Sequence, residues 1–170
     1  GVINNGGVIR ATGAAKIGGE VYLVNPGGKV MQAGLIAAQK QQADGQLAGG
    51  TVKIDAARAE VGGTINASGT VGGKVEVTGN EIVLTGATVD ASGDTAGGVV
   101  RIGGGLHGND PLIKNAQTVA VDAESAISAD ARTTGDAGSV VIYADRETNF
   151  AGSVTARALG ASGNGGFVEI

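Results

Sequence analysis

The chain has 170 residues, of which 33 are glycine, two are proline and none is cysteine. This glycine content exceeds that of an ordinary globular domain, and it is not that of collagen either because the glycines lack a third-residue period. Twelve basic and sixteen acidic residues give a net charge of −4, so nothing attracts a nucleic-acid backbone. The absence of cysteine excludes a disulfide framework, and no apolar segment is long enough for membrane insertion.

A two-part phrase recurs along the chain. The first part is a Gly-Gly or Ala-Gly pair followed by apolar residues at alternate positions, and it occurs at 18–23, 49–54, 72–77, 97–102, 137–142 and 165–170. The second part is an apolar residue two positions before an alanine, and its pairs are Ile9 with Ala11, Ile36 with Ala38, Ile65 with Ala67, Val89 with Ala91, Ile127 with Ala129 and Val154 with Ala156. Repeats of about 20 to 50 residues that carry only a strand period are typical of a β-solenoid.

A weaker strand pattern lies between the two parts of each repeat, at 29–32, 57–61, 81–84, 119–121 and 147–150. Three short strands per coil, joined by turns of unequal length, favour a right-handed parallel β-helix, because the left-handed form requires a strict six-residue rhythm. The sequence therefore predicts an all-β chain. Residues 1–170 should form a single β-helix segment of about five full coils with a partial coil at each end.

Stacked coils place equivalent residues in columns with a spacing of about 4.8 Å. The alternation predicts a buried column that contains Val21, Val52, Val75, Val100, Val140 and Val168. It also predicts a solvent-facing column in which Lys53, Glu76 and Arg101 alternate in sign, each pair contributing about a few tenths of a kcal/mol. The glycines are expected at corners where the backbone needs a positive φ.

One repeat is longer than the others, because about thirteen extra residues follow Ile102. We therefore predict an insertion loop at 103–118, and long insertions into a regular scaffold often carry binding functions. The residues that could contact a partner there are Leu106, His107, Asn109, Asp110, Leu112, Ile113 and Lys114.

The insertion also contains a Gly-x-Gly-x-x-Gly motif at 103–108. Asn109-Asp110-Pro111 follows where a dinucleotide-binding helix would begin, so the motif does not predict nucleotide binding. His107 is the single histidine, and with one nearby carboxylate it offers too few ligands for a metal. We expect no cofactor.

Three segments of the chain resemble a known family. They are Gly-Val-Ile-Asn-Asn-Gly-Gly-Val-Ile-Arg-Ala at 1–11, Gly-Glu-Val-Tyr-Leu-Val-Asn-Pro-Gly-Gly at 19–28 and Gly-Asn-Gly-Gly-Phe-Val-Glu-Ile at 163–170. These phrases are similar to those of the filamentous haemagglutinin-like adhesins of Gram-negative bacteria, which use two-partner (type V) secretion. The resemblance implies a β-helical shaft that is exported through an outer-membrane transporter and serves in cell adhesion, biofilm formation or display of a distal tip. It also implies a secreted protein located outside the bacterium or on its surface.

The secretion domain that opens such proteins usually carries Asn-Pro-Asn, whereas Asn25-Pro26-Gly27 matches two of these positions inside an ordinary repeat. We therefore interpret the chain as shaft, the alternative being the carboxyl-terminal part of a secretion domain. Because the sequence opens at Gly1, we expect a processed or excised fragment of a longer protein. The ends of such a fragment would expose strand edges, which predicts end-to-end self-association.

Two other functions are alternatives. The insertion could make the chain a module that binds a host-cell receptor or a glycan. Parallel β-helices also carry polysaccharide-active enzymes, and the carboxylates available for acid/base work are Asp90, Asp122, Asp130 and Asp136. Aspartate is common at turns for backbone reasons, so we expect no enzymatic activity.

Asn66-Ala67-Ser68 is a glycosylation sequon. It lies at the end of a predicted strand, where a turn should leave the side chain of Asn66 accessible. The sequence therefore predicts Asn66 as a possible site of modification.

Overall fold

Strands make up most of the chain in the computed structural model, which describes residues 1–14 and 19–170. The chain winds as a right-handed parallel β-helix, which confirms the predicted fold. We define its five full coils as residues 19–49, 50–72, 73–97, 98–137 and 138–165, with a partial coil at each end. Gly18, which belongs to the first repeat phrase, lies outside the described residues.

The strands through coil 2 are β1 (Val2–Asn5), β2 (Val8–Ala14), β3 (Glu20–Gln32), β4 (Leu35–Gln41), β5 (Leu47–Gly49), β6 (Thr51–Val61), β7 (Thr64–Asn66) and β8 (Gly69–Val71). Those that follow are β9 (Lys74–Leu84), β10 (Thr88–Asp90), β11 (Gly93–Ala96), β12 (Val99–Ile102), β13 (Ala116–Val121), β14 (Ala126–Ser128), β15 (Ser139–Ile142), β16 (Ala144–Phe150), β17 (Ser153–Thr155) and β18 (Phe167–Glu169). A short 3-10 helix at Leu106–Gly108 lies between β12 and β13. Across residues 1–14 and 19–170, no helix is long and apolar enough to cross a membrane.

A regular coil contains one long strand followed by two short ones. In coil 2, β6 carries both the first phrase and the weaker strand predicted at 57–61, because Asp55 and Ala56 continue the extended backbone between them. The same fusion places 29–32 within β3 and 81–84 within β9. β7 is the predicted second phrase, and β8 is a strand that alternation did not predict because Gly69-Thr70-Val71 offers one apolar residue. The prediction of three strands per coil is confirmed, although the strands begin and end at different residues from those predicted.

The strands of successive coils stack into sheets that run along the helix axis. The first sheet has the order β1-β3-β6-β9-β12-β15-β18, with β13 and β16 continuing it beside the second half of β9. The second sheet has the order β17-β14-β10-β7-β4-β2, and β8 with β11 forms the third. The strands of adjacent coils pair in parallel and in register, so residues at equivalent positions form the predicted columns.

A hairpin that the sequence did not predict projects from coil 1. β4 pairs antiparallel with β5, and Gly45 turns between them with φ +83. The hairpin contains four glutamines, Gln39, Gln41, Gln42 and Gln46. Because this segment is polar, it lacks the alternation of apolar and polar residues from which a strand could be inferred.

The predicted valine column forms the core. Its members pair coil by coil in the order Val21, Val52, Val75, Val100, Val140 and Val168. A second column faces it from the other sheet and contains Ile9, Ile36, Ile65, Val89, Ile127 and Val154. Val52, Val75, Val100 and Val140 are fully buried, whereas Val168 is 40% exposed, contrary to the prediction, because no coil in the described residues covers it. Each fully buried valine contributes about 1.5 to 3 kcal/mol of burial before its entropy is subtracted.

A positive φ, as predicted, is found at turn glycines such as Gly63 and Gly86, but most of the recurring glycine pairs serve a different purpose. Among the second glycines of the pairs, Gly19 has φ +70, whereas Gly50, Gly73 and Gly98 do not have positive φ. A Cβ on Gly98 would collide with the backbone oxygens of Gly73 and Ala91 in coil 3. Glycine is required at this corner because the backbones of successive coils leave no room for a side chain.

Candidate functional site: the insertion and the turn carboxylates

The insertion (residues 103–118) interrupts the long strand of coil 4. In β9, three residues separate Val77 from Glu81, whereas fifteen separate their partners Ile102 and Thr118. The chain leaves the sheet at Gly103 with φ +84, forms the 3-10 helix and returns at β13. The second half of the strand then resumes its register, so the insertion leaves the coil stack intact.

Polar contacts tie the insertion to coils on both sides. Lys114 Nζ donates to Asn80 Oδ1 in coil 3 at 2.7 Å. Asn115 Nδ2 donates to Asp145 Oδ1 in coil 5 at 3.0 Å. The backbone N–H of His107 donates to both carboxylate oxygens of Glu169, in the last partial coil, at 3.0 and 3.1 Å. The insertion therefore links coils 3, 4 and 5 and the last partial coil along the axis.

The apolar residues of the insertion divide into two groups. Ile113 is buried, whereas Leu106 is 47% exposed and Leu112 is 91% exposed. Tyr143 of coil 5 packs beneath the loop, where Gly104 and Gly108 lie so close to its ring that a Cβ on either would overlap it. The insertion is thus anchored on one side and presents two leucines to solvent on the other.

The insertion also changes the predicted outer column. Lys53, Glu76 and Arg101 lie in register, and Lys53 Nζ pairs with Glu76 Oε1 at 3.1 Å as predicted. Arg101 instead pairs with Asp110 Oδ2 at 3.3 Å, because the insertion brings that carboxylate over β12. The second cation on Glu76 is Lys74, at 2.8 Å.

All seven residues predicted to contact a partner lie in this one anchored loop. Of these, Leu106, His107, Asn109, Leu112 and Lys114 are exposed, Asp110 is half-buried and Ile113 is buried. Sequence reasoning missed the anchors Asn115, Tyr143, Asp145 and Glu169. Asn115 and Asp145 are 30 residues apart and His107 and Glu169 are 62 apart, so no local pattern could have revealed them.

Asn115→Ala should loosen the insertion without unfolding the β-helix. The change removes the hydrogen bonds from Asn115 Nδ2 to Asp145 and to the Gly108 carbonyl oxygen, at 3.0 and 2.9 Å, each contributing about 1 kcal/mol net. We expect faster amide hydrogen exchange in residues 104–114 and unchanged exchange in β9. Asn109→Ala is the matched control, since that exposed side chain lies in the same loop. Equal exchange in the two variants would contradict the anchoring role.

The four aspartates considered for acid/base work each make contacts between coils. Asp90 Oδ1 accepts from Ser128 Oγ at 3.0 Å, and its Oδ2 pairs with Arg132 at 2.8 Å. Asp122 accepts from the Gly86 N–H at 2.9 Å, and Asp136 from the Asn164 N–H at 2.7 Å.

Asp130 is the most enclosed of the four. It is buried and pairs with Arg157 Nη2 at 2.8 Å, and it also accepts from the Arg157 N–H at 2.7 Å. Through these contacts, the four carboxylates help to hold adjacent coils together.

Several of the carboxylates have lowered pKa values. Burial of Glu76 opposes its ionisation, but hydrogen bonds from Lys74 and Lys53 outweigh burial and hold its pKa below the usual value. Burial acts against Asp130 in the same way, and the hydrogen bonds from Arg157 lower its pKa nonetheless. The hydrogen bond from Lys29 lowers the pKa of Glu60.

Acid should therefore destabilise the β-helix. A carboxylate whose pKa is lower in the folded chain contributes stability above its unfolded pKa, near pH 4, and loses it as the pH falls through the folded value. We expect the urea midpoint to be constant from pH 7 to about pH 5 and to fall progressively below pH 4. Glu76→Gln should make the urea midpoint depend less steeply on pH below pH 4. A midpoint that stays flat or rises on acidification would contradict the assignment.

The sequon residues form a closed turn. Asn66 Oδ1 accepts from the Ser68 N–H at 2.9 Å and from Ser68 Oγ at 2.8 Å. Ser68 is buried and Asn66 is half-buried, so Asn66 is less accessible than the sequence predicts. Its modification stays a prediction.

The lone histidine, His107, has one carboxylate beside it. In the described residues, no cluster of three or more His, Cys, Asp or Glu side chains could hold an ion. His107 Nδ1 lies 3.2 Å from Glu169 Oε1, and the two form a pair within the insertion's anchor.

Comparison with known proteins identifies a relationship through structure. The sequence matches no known family description and no curated protein. The fold is similar to the crystal structure of the HMW1 secretion domain from Haemophilus influenzae, with a TM-score of 0.72 and 25% sequence identity. The similarity covers 98% of this chain and 43% of that one, so this chain spans less than half the length of that structure. The chain therefore shares its β-helical fold, over nearly all of its length, with a bacterial secretion domain.

Proposed function

We propose that this chain is a β-helical shaft segment of a secreted bacterial protein, exported through an outer-membrane transporter by two-partner secretion and located outside the cell or on its surface. The observation that carries the export route is the similarity to the HMW1 secretion domain across 98% of the chain. The family resemblance of the repeat phrases points to the same route. A shaft of this kind serves adhesion, biofilm formation or the display of a distal tip.

The physical properties of the coil stack support a shaft. The inner columns run through all five coils without interruption, and hydrogen-bonded strands join every coil to the next. The turn carboxylates and the insertion add contacts along the axis. A rod with these features keeps its shape through nearest-neighbour contacts alone, so it can be long and can fold coil by coil as it leaves a transporter.

Two fusions test the proposal. In the first, residues 1–170 follow a complete secretion domain and are produced with its outer-membrane transporter. We expect the segment to reach the cell exterior and to resist protease there. The same fusion with Val52→Asp, which places a charge in the buried column, is expected to be digested. Retention inside the cell, or digestion of the unaltered segment outside it, would contradict a shaft.

The second fusion separates shaft from secretion domain. Residues 1–170 replace the structurally equivalent part of the HMW1 secretion domain, and export is measured with the transporter for that domain. Loss of export is expected for a shaft segment. Full export would show that the chain also performs the recognition role of a secretion domain.

Binding of a host receptor or a glycan by the insertion is the second candidate function. The observation that favours it is the exposure of Leu112, at 91%, on a loop that is anchored from beneath. Because removal of 104–116 would also delete the contacts to Asn80 and Glu169, a sharper variant is Leu106→Ser with Leu112→Ser. Binding to cells or a glycan array that is lost in this variant supports the candidate, and binding that is retained contradicts it.

A polysaccharide-active enzyme is the remote alternative. The engagement of Asp90, Asp122, Asp130 and Asp136 in contacts between coils favours a structural role, and we infer that the chain is not an enzyme. Hydrolysis or lysis of acidic and neutral polysaccharides by the purified chain would contradict this inference.

A further inference from the structure

One outward face of the β-helix has the insertion along one side and an apolar groove along the other. The face is formed by the second half of the long strand, which in coils 3, 4 and 5 is 81–84, 118–121 and 147–150. The insertion leads into this half of the strand, and the groove lies where the same half ends. Strand residues advance about 3.3 Å each, so about 13 Å separates the two features.

Leu112 protrudes from the insertion on a rigid turn. Its side chain is 91% exposed, whereas that of the neighbouring Ile113 is buried. Asp110 holds the turn, since its Oδ1 accepts from the Leu112 N–H at 3.0 Å and its carbonyl oxygen accepts from the Ile113 N–H at 3.1 Å. The Oδ2 of Asp110 pairs with Arg101 of coil 4. An apolar side chain on a turn that is fixed in this way loses little entropy on docking.

The groove on the other side of the face has an apolar floor. Val83, Ala120 and Ala151 line it in coils 3, 4 and 5, and its volume of about 260 Å³ accommodates a leucine side chain. Because coils stack along the axis, a coil added at either end of the shaft leaves this outward face open. The accessibility of the groove therefore does not depend on a strand edge.

A charged group borders each feature, and the two charges are opposite. Close to the exposed leucine, Lys114 Nζ donates to the amide oxygen of Asn80, so its hydrogen-bond partner is neutral. Asp122 lines the groove, and it accepts from a hydroxyl and a backbone N–H, which are neutral as well. The hydrogen bond from Ser125 lowers the pKa of Asp122, so its carboxylate is charged at neutral pH. Both charges can therefore pair with a group on another molecule.

A two-fold rotation brings the insertion of one copy to the groove of another. The two features lie at the same level of the shaft, since Asp110 contacts coil 4, Lys114 contacts coil 3 and the groove spans coils 3 to 5. Rotation of a second copy by 180° about a line parallel to the shaft axis therefore places each insertion against the groove of the other copy.

The residues between the two features are compatible with this rotation. The outward column from Glu81 to Glu147 lies on the insertion side, and the column from Val83 to Asn149 lies on the groove side. The rotation sets one column against the other. The carboxylates of Glu81 and Glu147 thus meet uncharged residues of the second copy rather than other carboxylates.

We propose that two copies of this chain pair side by side with parallel axes, each inserting Leu112 into the groove of the other and pairing Lys114 with its Asp122. This pairing goes beyond the shaft function, because it joins shafts laterally, and it does not depend on the export route. The same surface is used on both copies, so the association closes at the dimer. The face is narrow, which places the dimer among weak complexes.

Sedimentation equilibrium over a wide concentration range tests the pairing. The wild-type chain should be a mixture of monomer and dimer, and Leu112→Ser should raise the dissociation constant about tenfold or more. Leu106→Ser is the matched control, because it truncates the other exposed leucine of the insertion, and it should dimerise like the wild type. A wild-type chain that is monomeric at every concentration would overturn the proposal. So would a Leu112→Ser variant that dimerises normally, or wild-type species larger than the dimer.

Charge reversal tests the reciprocal contact. Lys114→Glu and Asp122→Lys each place like charges together at both contacts of a dimer, so each variant alone should be monomeric. In their equimolar mixture the two introduced residues meet at one contact and the native Lys114 and Asp122 meet at the other, so a 1:1 dimer should form. Circular dichroism shows whether each variant is folded, and Asp122→Asn is a second variant that keeps an oxygen acceptor for Ser125 and should weaken the dimer. A mixture that stays monomeric, or that grows beyond the dimer, would rule out reciprocal pairing.

Discussion

Replacing Gly98 with alanine should be among the most destabilising single changes in this chain. The new Cβ would overlap the backbone oxygens of Gly73 and Ala91, and neither can move without separating coil 4 from coil 3. Overpacking of a rigid interior typically costs about 1 to 3 kcal/mol and sometimes more, and a collision with backbone lies at the upper end of that range. Urea unfolding followed by circular dichroism measures the loss.

Gly27→Ala is the control for this substitution. Gly27 has no positive φ, and an added Cβ there would have nothing within 4 Å. Because alanine restricts the unfolded chain more than glycine does, we expect a neutral or slightly stabilising effect. If both variants lost the same stability, the explanation by space would be wrong and a general backbone requirement for glycine would replace it.

Ile82→Ala should lower the free energy of unfolding by about 2 to 5 kcal/mol. Ile82 is fully buried in the second half of β9, where it lies between Ala59 and Val119 of the neighbouring coils. Its removal leaves a cavity that stacked backbones cannot close, because their spacing is set by hydrogen bonds. The urea midpoint of the variant measures the effect.

Val83→Ala provides the matched comparison for Ile82→Ala. Val83 is the next residue in β9 and faces outward, where it is only half-buried. Truncation there should cost about 1 kcal/mol or less. A loss comparable with that of Ile82→Ala would mean that the inner and outer faces of the strand have been assigned the wrong way round.

The site was less predictable than the fold. The spacing after Ile102 located the insertion, because a repeat makes any extra length visible. It could not predict that Asn115 contacts Asp145 or that His107 contacts Glu169, since these pairs join segments that share no period. The hairpin of β4 and β5 was missed for a related reason, because its polar sequence carries no alternation.

The sequence also could not predict why each glycine pair is needed. The sequence showed where the pairs recur, but a glycine can be required by its own φ or by a neighbour that lies too close. Gly19 has a positive φ, whereas Gly98 faces the backbone of Gly73. Only the packing of one coil on the next distinguishes these two causes.

The sequence by itself determined the β-helix, its coil number and the residues of its buried columns, because a period of two residues within each strand and a recurring phrase between strands are local properties. The tertiary structure decided which glycines are needed for space, how the insertion folds back across the neighbouring coils and which cation each carboxylate meets. These features depend on distances between segments that are far apart in the chain, and those distances are set only when the coils stack.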